Sequence, residues 1–311
     1  MPTTYTIERV PSGAAESAEQ LGTKFKFWYR DEGKRLILFK EGRPGTGDNW
    51  AEKIASELAG LIEMPHVEYQ LASYEDKSGV ICNALMEPGE VLVHGNELLT
   101  TYSTDYRESG AKTYQRREHT VSRVLGFFRA STELVGAPAK FEQNKKLASA
   151  LDVFIGYLMF DAWIANQDRH DENWALVRAM DGNSYLAPSY DHGSSMGRNE
   201  TDANREIMLT TRDAGRHIAK YVTKARSAFF PHAATSSCKA LFTLDAFEQA
   251  SRQNPVAAAE WQGRLRAVDM AQIEIIIDRV PGHLMTDVAK RFTKELLILN
   301  RERILKSCNW K

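Results

Sequence analysis

The segment from Leu151 to Ala165 constrains the fold of this chain more than any other stretch. It is apolar on almost every side of a helical wheel, and Asp152 and Asp161 are its only charged residues. A helix without a polar face has to be enclosed by other parts of a protein. The segment is also too short and too interrupted for a membrane span, which takes about 20 apolar residues. The sequence therefore predicts a helical domain built around this buried helix.

Charge and cysteine content narrow the class of protein. Lys and Arg number 40 against 41 Asp and Glu, so the net charge is −1 and predicts no direct nucleic-acid partner and no membrane association. Cys82, Cys238 and Cys308 lie far apart without C-x-x-C spacing, which disfavours a zinc site or a disulfide framework. The first residues lack a signal-peptide pattern. We expect a cytoplasmic protein.

The first 90 or so residues are rich in predicted strands. Apolar runs at 24–30 and 35–40 flank a D-E-G-K turn and predict a hairpin, and two further strand-like runs cover 66–74 and 79–86. Between them, Asp48 is a predicted N-cap for a helix over 49–62.

Helical patterns dominate after residue 89. They cover the segments 114–130, 142–165, 213–230, 244–252, 257–279 and 284–306. This division predicts an α+β, bilobal fold, with a small β-rich lobe over residues 1–88 and a larger helical lobe over 89–311.

The densest polar cluster, N-Q-D-R-H-D-E-N over 166–173, directly follows the buried helix. A solvated loop is the simplest interpretation, but the next residues favour another. The runs 174–179 and 184–191 flank a D-G-N turn and predict an antiparallel hairpin, with residue 173 opposite residue 190 to within one register step. Asn173 and Asp191 would then lie side by side, and their oxygens suit Mg²⁺.

The spacing of this loop matches a kinase catalytic loop. Asp168 precedes Asn173 by five residues, as the catalytic Asp precedes the metal-binding Asn in protein kinases, and Asp191 begins a D-H-G where kinases have D-F-G. The pattern predicts an ATP- and Mg²⁺-dependent kinase with Asp168 as the catalytic residue and Asn173 and Asp191 as metal ligands. His170 either contacts the transferring phosphoryl group or braces the loop.

A kinase also needs a fixed cation for the ATP phosphates, and Lys40 ends a predicted strand. Pairing about the D-E-G-K turn places Lys40 opposite Lys24 and beside Gly22 and Thr23, and puts Lys26 on the same face. These residues are the predicted phosphate-binding group.

The sequence leaves two candidates for the acidic partner of Lys40, and it places the adenine site only within a short segment. Glu52 and Glu57 both flank the apolar stripe of the helix that follows Lys40, so the helical wheel does not choose between them. The adenine is expected against Ala84, Leu85 and Met86, where the last strand of the small lobe leads into the linker.

With these residues in place, the chain resembles the HipA-type serine/threonine kinases, particularly the short stand-alone HipA-like proteins. The matching stretches are G-T-K-F-K at 22–26, the strand ending in Lys40, E-K-I-A-S-E-L-A at 52–59, F-D-A-W-I-A-N-Q-D-R-H-D-E-N at 160–173 and L-A-P-S-Y-D at 186–191. The D-R-H-x-x-N loop is also similar to that of the phosphatidylinositol kinases. Asp161 stands where the family pattern often has Asn.

The resemblance implies a bilobal kinase that transfers the γ-phosphate of ATP to a protein serine or threonine. Some family members autophosphorylate, and some are toxins with an antitoxin partner. The family roles fall on Asp168 as the catalytic Asp, on Asn173 and Asp191 as metal ligands and on Lys40 as the phosphate-binding Lys. Glu52 is the better family match for the partner of Lys40.

Two alternatives stay open at this point. One is a non-catalytic nucleotide-binding pseudokinase, which the intact Lys40, Asp168, Asn173 and Asp191 disfavour. The other is a kinase of a small molecule or a lipid, and the even charge disfavours the lipid. The polar segment 192–209 corresponds to an activation loop and is expected to be mobile.

Overall fold

A computed structural model describes residues 3–18, 24–103, 106, 116–232, 234–235 and 237–307. Six strands from the first part of the chain form one sheet, in the order β1-β5-β6-β4-β3-β2. They are β1 Glu8–Val10, β2 Ser17–Ala18, β3 Lys26–Arg30, β4 Leu36–Glu41, β5 Gln70–Tyr74 and β6 Lys77–Asn83. Helix α1 (Asp48–Leu61) packs on β5 and β6 through an apolar face. The predicted β-rich lobe with one helix is present.

The β3–β4 hairpin has a register two residues away from the predicted one. Lys40 lies opposite Lys26 and not opposite Lys24. The turn is longer than the sequence-based pairing assumed, and it is closed where Arg35 N–H donates to Asp31 Oδ1 at 2.8 Å. The shared face of Lys26 and Lys40 is confirmed, because directly opposite residues point to the same side of a sheet.

The predicted cap of α1 is wrong. The helix begins at Asp48 itself and its N-cap residue is Gly47, which offers no side chain. The Asp48 carboxylate instead pairs with Lys24 Nζ at 2.6 Å and with the Arg198 guanidinium. Lys24 and Arg198 thus bind the carboxylate that the sequence pattern predicted to cap the helix.

A second sheet of four short strands lies in the helical part of the chain, in the order β7-β9-β10-β8. The strands are β7 Val91–His94, β8 Val135–Gly136, β9 Ala175–Arg178 and β10 Ser184–Leu186. Strands β9 and β10 form the predicted hairpin, with Leu186 opposite Leu176. Continued to its open end, this register sets residue 173 against residue 189, one step from the prediction.

The rest of the described chain is mostly helical. The helices are α2 Gly95–Tyr102, α3 Val121–Ala130, α4 Ala150–Ile164, α5 Asp202–Thr210, α6 Ile218–Tyr221, α7 Thr243–Gln253, α8 Pro255–Ala267, α9 Met270–Asp278 and α10 Asp287–Ser307. Every residue of α4 is buried, against α3, α7, α8 and α10. The prediction of a central enclosed helix is confirmed. No described helix has both the length and the hydropathy of a membrane span.

Four helical segments differ from their prediction. The described part of 114–130 is helical only from Val121, where Thr120 is the N-cap. The segment 142–165 is helical only from Ala150, where Ser149 and Asp152 form a capping box. The segment 257–279 is two helices, because Val268 is extended and Asp269 caps α9 by accepting Ala271 N–H. The segment 213–230 contains only the single turn α6.

The segment after Asp191 is packed rather than loose. Ser195, Met196 and Arg198 are buried, and α5 occupies its second half. The first half of the segment is thus packed against the core, and the expected mobility of an activation loop stays a prediction.

Backbone hydrogen bonds join the two lobes at three places away from their covalent connection. One of them runs from Gly47 N–H to the Arg198 carbonyl at 3.1 Å. Tyr5 N–H donates to the Arg279 carbonyl at 2.8 Å, just before β1 enters the first sheet. Ser189 N–H donates to the Pro65 carbonyl and Ser189 C=O accepts Val67 N–H, both at 2.9 Å. The boundary predicted at residue 88 stays a prediction.

Candidate active site

Three side chains that are distant in the sequence meet between the lobes. Lys40 Nζ donates to Glu52 Oε1 at 2.7 Å and to Asp191 Oδ1 at 2.5 Å. Lys40 comes from β4, Glu52 from α1 and Asp191 from the residues that follow β10. We call these three residues the open cluster, because the Asp191 side chain keeps 31% of its surface exposed.

The partner of Lys40 is Glu52. Glu57, which the helical wheel could not exclude, binds Lys53 Nζ at 2.5 Å instead. Burial opposes the charge on Lys40, but the carboxylates of Asp191 and Glu52 raise its pKa above the usual range. Lys40 is therefore a permanently charged group.

The Asp191 carboxyl is held ionised despite its surroundings. Burial would raise its pKa, but the ammonium groups of Lys40 and Lys24 hold it well below its usual range. Asp191 also has a left-handed backbone with φ 57°, which is uncommon outside glycine. The carboxylate is thus aimed at Lys40 by a strained turn and is available as an oxygen ligand.

The loop 166–173 brings Asp168, His170 and Asn173 together. Asn173 Nδ2 donates to the Asp168 carbonyl at 2.6 Å, so its amide oxygen is the atom that can reach a cation. His170 N–H donates to the same carbonyl at 2.8 Å, and His170 Nδ1 accepts Glu172 N–H at 3.2 Å. These bonds show His170 bracing the loop. Its Nε2 lies 3.8 Å from Asp168 Oδ1.

A buried charged network holds the loop from behind. Arg169 donates to both carboxylate oxygens of Asp161 in α4, at 2.7 and 2.8 Å, and to Ser189 Oγ at 2.9 Å. The ring of His192 accepts the Ser189 hydroxyl at 2.7 Å and lies 3.2 Å from Arg169 Nη2. We call these four residues the closed network. None of the four is accessible enough to meet a ligand.

The closed network explains two features of the sequence. Asp161, which replaces the Asn common in the resembled family, is the counter-ion of Arg169. His192, the middle residue of D-H-G, is neutral because burial and Arg169 lower its pKa well below the usual value. Its backbone N–H donates to Glu52 Oε2 at 2.8 Å and so connects this network to the open cluster.

The other side of the loop rests on a second buried group. Arg116 binds Asp171 Oδ2 at 2.5 Å, and Trp174 Nε1 donates to His119 Nε2 at 3.2 Å. His119 Nδ1 faces the Ala228 carbonyl at 3.1 Å. Burial lowers the pKa of His119 to about 4, so this ring is also neutral.

The predicted phosphate-binding residues are only partly described. Gly22 and Thr23 lie outside the described residues. Lys24 pairs with Asp48, and burial together with the charge of Lys40 lowers the pKa of Lys24 to about 8. Lys26 stands opposite Lys40 on the same face of the sheet. Cations from three positions therefore surround the Asp191 carboxylate.

The three residues predicted to contact the adenine lie in different surroundings. Ala84 N–H donates to the Leu36 carbonyl and so extends the sheet by one hydrogen bond. Leu85 lines a cleft of about 810 Å³ together with Met64, Phe141 and Tyr185. Met86 is partly buried. An adenine site at these three residues stays a prediction.

Several residues around the site were missed by sequence reasoning. They are Asp48, Asp161, Arg169, His192, Ser194 and Arg198. A signal existed for Asp161, because an ionised side chain inside an apolar helix needs a buried partner. No local signal marked Asp48 or Arg198, because their contact joins residues 150 positions apart.

Similar proteins were found among solved structures. No protein-family model and no curated protein matches the chain. The proinflammatory kinase CtkA of Helicobacter pylori matches it with a TM-score of 0.67 and 20% identity, over 99% of this chain and 100% of that chain. The chain has a kinase fold.

Two further structures are more distant. HipA of Shewanella oneidensis, solved with HipB and operator DNA, has a TM-score of 0.48 and 13% identity, over 95% of this chain and 66% of that chain. The Golgi casein kinase has a TM-score of 0.42 and 12% identity, over 98% and 73%. The predicted bilobal protein-kinase-like fold is confirmed by the likeness to CtkA.

The side-chain oxygens of this site suit a Mg²⁺ ion that takes most of its other ligands from phosphate oxygens. Asn173 and Asp191 supply hard oxygen atoms, and Asp191 is ionised. Groups of three or more His, Cys, Asp or Glu that could hold a metal are absent from the described residues. Two protein ligands are enough for Mg²⁺, which keeps several waters and substrate oxygens.

Proposed function

We propose that the protein is an ATP- and Mg²⁺-dependent kinase that transfers the γ-phosphate of ATP to a hydroxyl group. The resemblance to HipA-like kinases favours a protein serine or threonine as the acceptor, with autophosphorylation and a toxin-like role as further expectations. An antitoxin-like protein partner is expected on the same ground. A cytoplasmic location stays a prediction; in its support, Cys82 and Cys238 form no disulfide.

One observation carries the proposal. A lysine at a strand end, an acid of the following helix and the aspartate of a D-x-G sequence meet at hydrogen-bond distances beside a D-x-x-x-x-N loop. Kinases require this lysine–acid pair together with the metal-binding Asp. A chance arrangement of surface charges would not bury Lys40 and Glu52 at 6% and 1% exposure.

Each residue of the site has a separate role in the proposed reaction. Lys40, with Lys26 and Lys24, neutralises the ATP phosphates, and Glu52 fixes the position of Lys40. Asn173 and Asp191 would hold Mg²⁺, which neutralises phosphate charge when bound. Asp168 accepts a hydrogen bond from the acceptor hydroxyl and aims its oxygen at the γ-phosphorus. Positioning and charge neutralisation supply most of the rate in such reactions.

The test is ATP turnover and self-phosphorylation by the purified chain with Mg²⁺. We expect Asp168→Ala to lower kcat about a hundredfold or more while nucleotide affinity stays within a few-fold, because Asp168 acts on the acceptor and not on ATP. Phosphoproteomics of cells carrying wild type or Asp168→Ala would then identify acceptors.

The matched control is Asp181→Ala, which removes an exposed carboxylate at the turn of the same hairpin. This variant keeps wild-type turnover. ATP binding without any Mg²⁺-dependent turnover in the wild type would favour a pseudokinase and sink the proposal. Turnover with sugars or lipid headgroups but not with proteins would keep the chemistry and change the acceptor class.

A further inference from the structure

The segment after Gly193 touches the predicted catalytic carboxylate directly. Ser194 Oγ donates to Asp168 Oδ2 at 3.3 Å, and Arg198 Nη2 donates to Ser194 Oγ at 3.1 Å. The serine hydroxyl therefore gives its one proton to Asp168 and accepts one from the arginine. The two hydrogen bonds form a chain from Arg198 through Ser194 to the carboxylate.

The other end of Arg198 is fixed in the sheet lobe. Its guanidinium pairs with Asp48 in the first turn of α1, and its carbonyl accepts Gly47 N–H at 3.1 Å. Asp48 is 2% exposed and also holds Lys24. A planar guanidinium presents its donors in fixed directions, whereas a lysine ammonium is a compact charge on a flexible stem. Arg198 thus joins α1 to Asp168 through Ser194.

The contact lies where an acceptor would enter. A cavity of about 310 Å³ is lined by Asp168, Ser194 and Arg198 together with Asn199 and Tyr221. The Ser194–Asp168 hydrogen bond forms part of its wall. A change in the direction of the Asp168 carboxylate would alter its hydrogen bond to a hydroxyl bound in this cavity.

We propose that Ser194 and Arg198 are positioning residues that aim the Asp168 carboxylate and attach the segment after Gly193 to α1 without a phosphate group. The inference rests on the proposed kinase function. Many protein kinases obtain an ordered activation segment and a placed helix from a phosphorylated residue bound by arginine. Here the ion pair of Arg198 and Asp48 already makes that attachment.

The hydrogen bond from Ser194 has a measurable consequence. Ser194 binds the Asp168 carboxylate, whereas Lys40 and Asp191 make the contacts expected to hold ATP. Loss of the Ser194 hydroxyl therefore leaves the carboxylate less well aimed and lowers kcat, while KM for ATP stays unchanged.

The experiment measures kcat and KM for ATP for four variants. Ser194→Ala is expected to lower kcat by about tenfold to a hundredfold with KM for ATP unchanged. Ser194→Thr restores the hydroxyl and the wild-type kcat. Arg198→Lys keeps a charge beside Asp48 but loses the hydrogen bond to Ser194, and it reproduces the fall in kcat of Ser194→Ala.

Ser251→Ala is the matched control. Ser251 is a buried serine in α7, and its hydroxyl donates to the Phe247 carbonyl at 2.8 Å, away from this cavity. This variant keeps the wild-type kcat. Phosphatase treatment of the wild-type protein likewise leaves kcat unchanged.

Four results would overturn the inference. An unchanged kcat in Ser194→Ala, no rescue by Ser194→Thr, or a fall in kcat after phosphatase treatment would each do so. A phosphoryl group found on Ser194 by mass spectrometry, with activity following its amount, would make Ser194 an acceptor instead. If the wild type is active, such results leave the kinase function standing, whereas an inactive wild type removes both proposals.

Discussion

The open cluster and the closed network are both buried groups of charged side chains, yet they differ in what they leave unsatisfied. In the closed network one cation, Arg169, meets one anion, Asp161, and their side chains are 1% and 4% exposed. In the open cluster one cation meets two anions, and Asp191 faces the space between the lobes. A balanced and sealed network braces a structure, whereas an unbalanced and accessible one has charge left for a ligand.

The difference leads to opposite expectations for substitutions. Changes in the closed network should act on stability, and changes in the open cluster should act on turnover. Each prediction below tests one side of this comparison.

The largest effect is expected for Asp191→Asn. Removing the carboxylate charge should lower kcat by about a thousandfold or more, because electrostatic stabilisation is the largest single contribution to such reactions. Thermal unfolding should change little, since Asn keeps the size of the side chain and Lys40 keeps Glu52. Asp181→Asn serves as the control, and a variant with full activity would contradict the metal assignment.

Arg169→Met comes next, measured by denaturant unfolding. The substitution leaves Asp161 buried without a counter-ion, which costs about 3–5 kcal/mol of unfolding free energy. The control is Lys146→Met, which breaks the exposed pair with Glu260 and should cost less than about 1 kcal/mol. If Arg169→Met unfolded like wild type and only lost activity, the network would not be the brace described above.

A smaller effect is expected for Glu52→Gln. Lys40 would lose one of its two anions, and catalytic efficiency should fall by about tenfold to a hundredfold, mostly through weaker ATP binding. Glu57→Gln on the same helix should stay within about twofold, because Glu57 pairs with Lys53 at a distance from the cluster. Equal effects of the two variants would argue against the assigned lysine–acid pair.

The smallest effect at neutral pH belongs to His119→Gln. The folded-state pKa of about 4 lies below the ordinary value near 6.5, so only the unfolded chain takes up a proton between these values. Stability from this group is complete above pH 6.5 and falls by about 1.4 kcal/mol per pH unit toward pH 4. The unfolding free energy of the variant, measured across this window, should decline less steeply than that of wild type. Identical slopes would mean that His119 is protonated in the folded protein.

Much of the fold and part of the site could be predicted from the sequence. The enclosed helix α4 was predictable because its apolar residues leave no polar face. The register of β9 and β10 was predictable to one step because a D-G-N turn fixes a short hairpin. These features depend on local patterns.

The predictions that failed concern features that depend on contacts between distant residues or on turn length. The register of β3 and β4 was missed because nothing in D-E-G-K shows that the turn extends to Arg35. Glu52 and Glu57 are equivalent on a helical wheel, and only the placement of β4 beside α1 decides between them. Asp48 fits the local rule for a cap, but Lys24 and Arg198 hold its carboxylate in the folded chain.

The residues from Ser189 to His192 belong to the helical lobe by sequence but are bonded to both lobes. Toward the sheet lobe they form two backbone hydrogen bonds with Pro65 and Val67, the bond from Lys40 and the bond to Glu52. Each such bond contributes about 0.5–1.5 kcal/mol, and those to charged groups contribute more. Parting the lobes at this edge would break them all, so the two lobes are already held together there. For the proposed kinase we therefore expect release of the nucleotide product, rather than phosphoryl transfer, to limit the rate of each catalytic cycle.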